Sequence, residues 1–331
     1  MSVEKILSEW KKNSYKPVYW LEGEEDYYID QLVNYAETHI LTESEASFNL
    51  AIFYGRDAAW ADIVNACRKY PMFSDKQVVI LKEAQQLREI EKLEVYLNQP
   101  LSSTIFIVAY KEKKLDARTK FAKLVKERSE FLSTKKIYDS ALPEWVNAYV
   151  AQLQYTISPK ATMLLVDHIG NDLARIENEI QKILINLKTR TAITEEDVEN
   201  FVGISKDFNI FELQTAVANR DLAKAMRVIR YFGDNPKAAP IQLVLPSLYS
   251  FFSKVFMIFG ASGADDAIAK QIGVNGFFFK SYSQASRTYG YEGVEKILLL
   301  LHQYNLRSIG INATRIEDES LLTEMVVKIM M

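Results

Sequence analysis

The sequence predicts an α/β domain with a parallel sheet at residues 1–140, followed by an all-α domain at 141–205 and a second all-α domain at 206–331. Between Pro17 and Ser140, apolar strand-like runs alternate with amphipathic helical patterns, which is typical of a parallel sheet flanked by helices. After Ser140 the strand signal disappears and helix N-caps recur. The length of 331 residues is sufficient for two or three domains, each with its own core.

The α/β domain should contain strands and helices in alternation. The strand candidates are runs rich in Val, Ile and aromatic residues, at 18–21, 48–54, 77–81, 104–109 and 136–138. The helical patterns between them lie near 27–40, 59–69, 89–97 and 117–128. Because each helix connects two strands, the strands are expected to run parallel.

Capping residues and one apolar stripe predict the helical domains. Ser158 precedes a proline at the first helical position, and Thr194 starts a capping box. Asn171 and Asp221 are expected to cap the helices that follow them. Behind Asn171, apolar residues recur at spacings of three and four, namely Leu173, Ile176, Ile180, Ile183, Leu184 and Leu187. This stripe should face a core or an interface.

The composition indicates a folded cytoplasmic protein. The 40 basic and 43 acidic residues give a net charge of −3, which argues against a protein that holds DNA by its overall positive field. The single cysteine, Cys67, cannot form an intrachain disulfide, as fits a reducing compartment. The first residues mix acids and bases without the apolar run of a signal peptide. The apolar stretch 241–259 carries Pro246 and Lys254, so we expect a buried helix and no membrane partner.

The turn after the first predicted strand lacks a phosphate-binding loop. Such a loop needs several glycines and a lysine to hold phosphates, whereas residues 21–28 contain one glycine, no lysine and four carboxylates. These four, named here the acidic turn, are Glu22, Glu24, Glu25 and Asp26. Like charges repel by roughly 1–4 kcal/mol per pair near a protein surface, which disfavours ATP. Alternatively, the acids simply complement a helix dipole.

Other catalytic or cofactor-binding patterns are not evident. A later strand ends in Lys82-Glu83, where an ATPase needs Asp-Glu to hold magnesium. Cys67 lies within an apolar helical pattern, and the three histidines, His39, His168 and His302, are scattered along the chain. We therefore expect no intrinsic catalytic activity, no metal and no cofactor.

Residues Tyr70, Pro71, Met72 and Phe73, named here the apolar tip, follow the helical pattern at 59–69. Pro71 cannot continue that helix and favours extended geometry at Tyr70, so Met72 and Phe73 fall in the turn before the next strand. Two positions are open for these side chains. They pack under the sheet, which their apolar character alone favours, or they stand out as a wedge for a pocket on a partner.

A basic segment follows the fourth predicted strand. Its members are Lys111, Lys113, Lys114, Arg118 and Lys120, interleaved with acids and continued by Lys123 and Lys126. A solvated helix face explains the pattern, and a contact with a DNA phosphate backbone is the alternative.

Several motifs together resemble the delta subunits of the bacterial DNA polymerase III clamp loader. Residues 17–29 resemble the first strand and the turn of that family, and residues 114–120 resemble its basic segment. Residues 167–183 are similar to its lid pattern, in which Gly-x-Asp-Leu precedes a Glu-x-x-Lys helix. Residues 193–198 and 209–213 resemble its junction between lid and collar. The order and spacing of these motifs carry the resemblance.

The resemblance implies a AAA+-like domain without Walker motifs, a helical lid and a helical collar. It implies a non-catalytic subunit of a DNA-directed DNA polymerase holoenzyme, with a nucleotidyltransferase activity that belongs to the complex. The apolar tip would bind the beta sliding clamp, with Met72 and Phe73 as the leading pair. The collar would join the gamma/tau motor subunits and delta prime, and primed DNA would enter the assembled complex. The basic segment is the candidate DNA-backbone contact.

Two other functions compete with this interpretation. One is a helical scaffold that binds partners through residues 206–331 alone. The other is an unorthodox AAA+-like nucleotidase, which the acidic turn disfavours.

Overall fold

The computed structural model describes residues 2–205, 207–236, 239–311 and 317–331. The chain divides into two compact units, Met1–Ile137 and Tyr138–Met331. The sequence-based boundaries at 140/141 and 205/206 stay predictions, and Lys206 itself lies outside the described residues.

The first unit is built on a parallel sheet. Within the described residues its five strands are β1 (Val18–Gly23), β2 (Leu50–Tyr54), β3 (Gln77–Lys82), β4 (Thr104–Lys111) and β5 (Glu130–Thr134). Their spatial order is β2-β3-β4-β1-β5, and every neighbouring pair is parallel. Helical crossovers connect parallel strands, so the predicted α/β class is confirmed.

Six helices accompany the sheet in the described part of this unit. They are α1 (Val3–Lys11), α2 (Asp26–His39), α3 (Glu43–Asn49), α4 (Trp60–Cys67), α5 (Glu94–Leu97) and α6 (Lys120–Arg128). Short 3-10 turns occur at Ala84–Gln86, Ile90–Leu93 and Asp139–Ala141, the last of these in the second unit.

Two strand predictions were wrong in position. Residues 48 and 49 belong to α3, whose capping box between Thr42 and Glu45 starts a helix just before β2. The last strand is Glu130–Thr134 and not 136–138. This strand lies at the edge of the sheet, where it has one partner strand and is partly exposed. Polar residues are tolerated at such a position, so the strand does not give a continuous apolar run in the sequence.

Alternation along β1 separates two cores on the two faces of the sheet. Tyr19 and Leu21 pack with Trp10 of α1 and with α2 on one face. Val18 and Trp20 pack with residues of α4, α5 and α6 on the other. Because strand residues alternate between faces and helices cover both, all six residues of β1 are buried.

The second unit is mainly helical. Its helices are α7 (Leu142–Gln152), α8 (Pro159–Ile169), α9 (Leu173–Asn186), α10 (Glu195–Val202), α11 (Ile210–Ala218), α12 (Leu222–Asp234), α13 (Ile241–Ile258), α14 (Asp265–Gln271), α15 (Gly276–Ser308, kinked at Gly290) and α16 (Asp318–Met330). Two short strands, β6 (Thr156–Ile157) and β7 (Ala192–Ile193), pair in parallel, which corrects the expectation of helices alone.

The predicted caps mostly hold. The Oγ of Ser158 accepts a hydrogen bond from the Ala161 N–H at 3.1 Å, and Asp221 caps α12. The capping box of Thr194 is formed. The prediction that Asn171 caps α9 was wrong, because the neighbouring Asp172 accepts the hydrogen bond from the N–H of Arg175 at 3.0 Å. A carboxylate also complements the helix dipole at that position.

Helix α13 has the length and apolar composition of a membrane span. Leu248, Phe252 and Val255 are nevertheless buried in the core of the second unit, together with residues of α15. This packing supports the interpretation of 241–259 as a core helix.

Gly23 closes the carboxyl end of β1 against β5. Its φ is +143°, and a Cβ placed there would lie 2.2 Å from Thr134 Oγ1 and 2.3 Å from the Thr134 carbonyl oxygen. Thr134 Oγ1 donates to the Glu22 carbonyl oxygen and accepts from the Glu25 N–H, and the Thr134 carbonyl oxygen accepts from the Glu24 N–H. Neither atom can move away without breaking those bonds.

We therefore expect Gly23→Ala to lower the free energy of unfolding by about 3 kcal/mol or more, because a clash with backbone adds to the cost of a positive φ. Chemical denaturation of the full chain measures this loss. Gly203→Ala is the control, because Gly203 also has a positive φ, of +85°, but nothing lies within 4 Å of its Cβ position. That variant should lose only about 1 kcal/mol. Equal losses in the two variants would contradict the steric explanation.

Candidate functional site

The acidic turn is folded around its own carboxylates. Glu22 is only 4% exposed, and its Oε2 accepts hydrogen bonds from the Trp20 Nε1–H and the Leu115 N–H, each at 3.2 Å. Burial raises the pKa of Glu22, and those two hydrogen bonds oppose the rise. Glu25 is also buried, and its carboxylate caps α2 at the N–H of Tyr27. Carboxylates thus occupy the helix N-terminus at which a phosphate-binding loop would place phosphates.

The basic segment is tied to this region by ion pairs. Lys114 Nζ lies 3.3 Å from Glu24 Oε1, and Lys111 Nζ lies 2.6 Å from Asp30 Oδ1 on α2. The acidic turn therefore has a role that was not predicted from the sequence. Besides disfavouring ATP or complementing a helix dipole, its Glu24 holds Lys114 of the basic segment within the domain.

The remaining basic residues differ in their surroundings. Arg118 forms a bidentate pair with Asp116, at 2.9 Å from Nε to Oδ1 and 2.7 Å from Nη2 to Oδ2. Lys113 and Lys120 are exposed and make no ion pair with any described residue. Of the five predicted DNA contacts, these two therefore have the charge that is most available to a phosphate.

The end of β3 also differs from a magnesium site. Lys82 Nζ lies 2.7 Å from Glu37 Oε2, so the side chain at this strand end is engaged with a carboxylate of α2. Over the described ranges of the chain, no three His, Cys, Asp or Glu side chains form a group that could hold a metal. Cys67 is buried, and burial raises the pKa of its thiol.

The apolar tip lies between α4 and β3 and stands in solvent. Tyr70 is 79% exposed, Met72 54% and Phe73 90%, while Pro71 is half-buried. The alternative in which Met72 and Phe73 pack under the sheet is therefore wrong for this chain. Large apolar side chains clustered in solvent indicate a surface for a partner.

The carboxamide of Asn49, at the end of α3, brackets the main chain of Met72. Asn49 Nδ2 donates to the Met72 carbonyl oxygen at 2.9 Å, and the Met72 N–H donates to Asn49 Oδ1 at 2.7 Å. Asn49 is buried, at 2% exposure. This pair of bonds fixes the direction in which the tip leaves the domain.

A second tether holds the residue after Phe73. Ser74 Oγ donates a 2.7 Å hydrogen bond to Glu45 Oε1, while the other carboxylate oxygen of Glu45 serves the capping box with Thr42. Bonds from the Thr42 main chain and from the Ser74 and Thr42 hydroxyls lower the pKa of Glu45 to about 2, so the carboxylate stays ionised. Phe73 itself has a φ of +56°, which costs about 1–2 kcal/mol for a residue with a Cβ. Tethers on both sides hold it there.

The start of the tip is anchored at the end of α4. Gln77 Nε2 donates to the Lys69 carbonyl oxygen at 2.6 Å, and Thr104 Oγ1 donates to the Cys67 carbonyl oxygen at 2.9 Å. Both side chains are buried. They satisfy carbonyl groups that a helix end leaves without partners, so α4 ends at a defined point.

The support that α3 gives to the tip was not predicted from the sequence, although the spacing from Thr42 to Glu45 is that of a capping box and indicates a helix. Phe48 on α3 was not predicted as a site residue either. It is 64% exposed, and its ring centroid lies 6.3 Å from that of Phe73. No local pattern predicts the bond between Asn49 and Met72, because it joins distant parts of the sequence.

Fold and site together define a class of protein: a parallel α/β domain without a phosphate-binding loop, with an exposed apolar tip and a helical continuation. Residues 19–135 match the family model described as DNA polymerase III, delta subunit. Over 95% of its length the chain is 23% identical to the DNA polymerase III subunit delta of Bacillus subtilis (strain 168), of which the match covers 93%.

A solved structure shares the fold. The DNA clamp loader delta protein of Bacillus subtilis matches with a TM-score of 0.57 and 22% identity, over 99% of each chain. The resemblance indicated by the motifs is thereby confirmed: along nearly its whole length this chain is similar to a DNA polymerase III subunit delta, and its fold to that of a clamp loader delta protein.

We expect Asn49→Ala to loosen the tip without unfolding the domain. The Met72 N–H would lose its acceptor, so its hydrogen exchange should accelerate at least about tenfold. Exchange of the peptide that contains residues 70–76, followed by mass spectrometry or NMR, measures this. Asn65→Ala is the control, because Asn65 is exposed on α4. Unchanged protection of Met72 in Asn49→Ala would show that the tether does not hold the tip.

Proposed function

We propose that this chain is the non-catalytic clamp-binding subunit of a clamp loader, and that Tyr70, Pro71, Met72 and Phe73 bind the beta sliding clamp and help to open it for loading onto primed DNA. One observation carries the proposal: an exposed apolar tip that is fixed to the domain on both sides. A flexible loop would have to be ordered on binding, whereas a tip already held by hydrogen bonds avoids most of that entropy loss.

The size of the tip is adequate for strong binding. Burying side chains such as Met72 and Phe73 contributes roughly 3–6 kcal/mol before the costs of association. Since each 1.4 kcal/mol corresponds to a factor of about ten in affinity, these side chains can change a dissociation constant more than about a hundredfold.

The non-catalytic role is supported by the acidic turn. The buried Glu22 and the capping Glu25 stand where nucleotide phosphates would need backbone N–H groups and a lysine. Nucleotide hydrolysis is therefore assigned to other subunits of the complex, and the DNA polymerase activity to the holoenzyme.

The other proposed partners follow from the family and from exposed apolar side chains in the second unit. Leu243, Tyr249 and Met257 of α13 are 43%, 50% and 51% exposed. This face is the proposed contact of the collar, at residues 206–331, with the gamma/tau motor subunits and delta prime. Replication takes place on DNA in the cytoplasm of bacteria, so we place the complex there.

Binding of the purified full chain to the sliding clamp of the same organism, without ATP, tests the proposal. The variant Met72→Ala/Phe73→Ala should bind at least about a hundredfold more weakly and keep the thermal stability of the wild type, because both side chains are exposed. The matched control is Phe277→Ala/Met331→Ala, which removes the same residue types from exposed positions, at 65% and 90%, in the second unit. It should bind the clamp like the wild type.

Each other outcome has a definite meaning. Retained binding by Met72→Ala/Phe73→Ala would refute the site. A folded wild type that does not bind the clamp would favour the scaffold that acts through residues 206–331. Turnover of Mg-ATP by the purified chain would favour the nucleotidase.

We further propose that the basic segment contacts the DNA backbone in the assembled loader, chiefly through Lys113 and Lys120. The variant Lys113→Ala/Lys120→Ala should weaken binding to primed DNA and reduce the slope of log affinity against log salt by about 2, because each phosphate contact contributes about 0.9. Lys11→Ala/Lys12→Ala changes the net charge equally at exposed positions and should leave the slope unchanged. Equal effects of the two variants would show a general charge effect instead of a contact.

A further inference from the structure

Phe48 is an exposed aromatic side chain in the last turn of α3. Its exposed fraction is 64%, although the next residue, Asn49, is buried and bonded to the main chain of Met72. Glu45, on the same short helix, holds Ser74. The helix that carries Phe48 is therefore the same element that positions the apolar tip.

The rings of Phe48 and Phe73 form one surface from two segments of the chain. Their centroids are 6.3 Å apart and their planes are inclined by 72°, an edge-to-face contact within the usual range for aromatic pairs. The contact leaves most of both rings in solvent, at 64% and 90% exposure. The contact between the two rings therefore does not remove their apolar surface from water.

We propose that Phe48 is a further contact residue for the sliding clamp, so that α3 and residues 70–73 together form the surface that enters the clamp. The inference depends on the proposed function of the tip. One aromatic side chain buries about 150–250 Å², whereas a specific interface covers about 800 Å² on each partner. An interface centred on Phe73 must therefore extend over neighbouring exposed groups.

Phe48 is held close enough to Phe73 to lie within an interface of that size. The Asn49 and Glu45 tethers join α3 to the residues on both sides of Phe73, so the two rings approach a partner as one unit. The Phe48 ring, with its centroid 6.3 Å from that of Phe73, would lower the free energy of binding when a partner removes it from water. The chemistry that fits it is an apolar surface continuous with the pocket that receives Met72 and Phe73.

The first test is the affinity of the full chain for the sliding clamp. Phe48→Ala should weaken binding about tenfold, as expected for truncation of an anchoring aromatic side chain. Phe277→Ala is a matched control, with the same residue type at 65% exposure, and should bind like the wild type. If Phe73→Ala weakens binding but Phe48→Ala does not, the inference is overturned and the proposed function stands. If neither variant weakens binding, the proposed site itself fails.

A second measurement separates direct contact from support of the Phe73 ring. The only native cysteine, Cys67, is fully buried with a raised thiol pKa, so a new surface thiol can be alkylated selectively. Saturating clamp should slow alkylation of Phe48→Cys by maleimide at least about tenfold and leave Phe277→Cys unchanged. If the clamp binds Phe48→Cys but does not slow its alkylation, Phe48 only supports Phe73 and the inference is wrong.

Discussion

The two hydrogen bonds between the Asn49 carboxamide and the main chain of Met72 determine where the apolar tip goes. Met72 and Phe73 would lower their free energy by leaving water, and the apolar faces of the sheet lie in the same domain. The bonds oppose that collapse because a buried carboxamide without partners is costly, by about 1–3 kcal/mol for each group left unpaired. The Asn49 carboxamide is satisfied by the Met72 main chain and the Glu45 carbonyl oxygen, and with these bonds in place the loop is directed outward. The left-handed backbone at Phe73 and the hydrogen bond from Ser74 to Glu45 come directly after this anchored residue and hold the tip from its other side.

The α/β class and the order of its strands along the chain could be predicted, because β1, β3 and β4 are buried on both faces and give continuous apolar runs. Strand β5 and helix α3 were missed, since an edge strand tolerates polar residues and a short helix has little periodicity. The composition of the tip was visible in the sequence, but its exposure was not. What keeps Met72 in solvent is a bond to a residue in another segment, and only tertiary structure brings the two together.

The turn after β1 has the strand–turn–helix arrangement that nucleotide sites use, but the chain's own carboxylates occupy it. The strand, the glycine at its end and the helix that follows are all present, and the helix N-terminus still attracts negative charge. Here that charge comes from the chain itself. Glu25 caps α2, and Glu24 reaches Lys114. Carboxylates of the chain thus stand where a bound anion would otherwise be attracted, and the ion pair between Glu24 and Lys114 uses part of the charge of the basic segment.

The connection of the tip to the sheet has a mechanical consequence. Helix α3 passes directly into β2 at Leu50, and the loop that carries the tip enters β3 at Gln77. These strands are hydrogen-bonded neighbours, with Leu50 opposite Val78. A pull on the tip along the strand direction is therefore divided between two adjacent parallel strands that are drawn from the same end. The ladder of hydrogen bonds between β3 and its other neighbour, β4, carries this load in shear, so that many bonds resist together. A tip mounted on a single flexible loop would stretch first, whereas this one transmits displacement to the body of the domain with little loss.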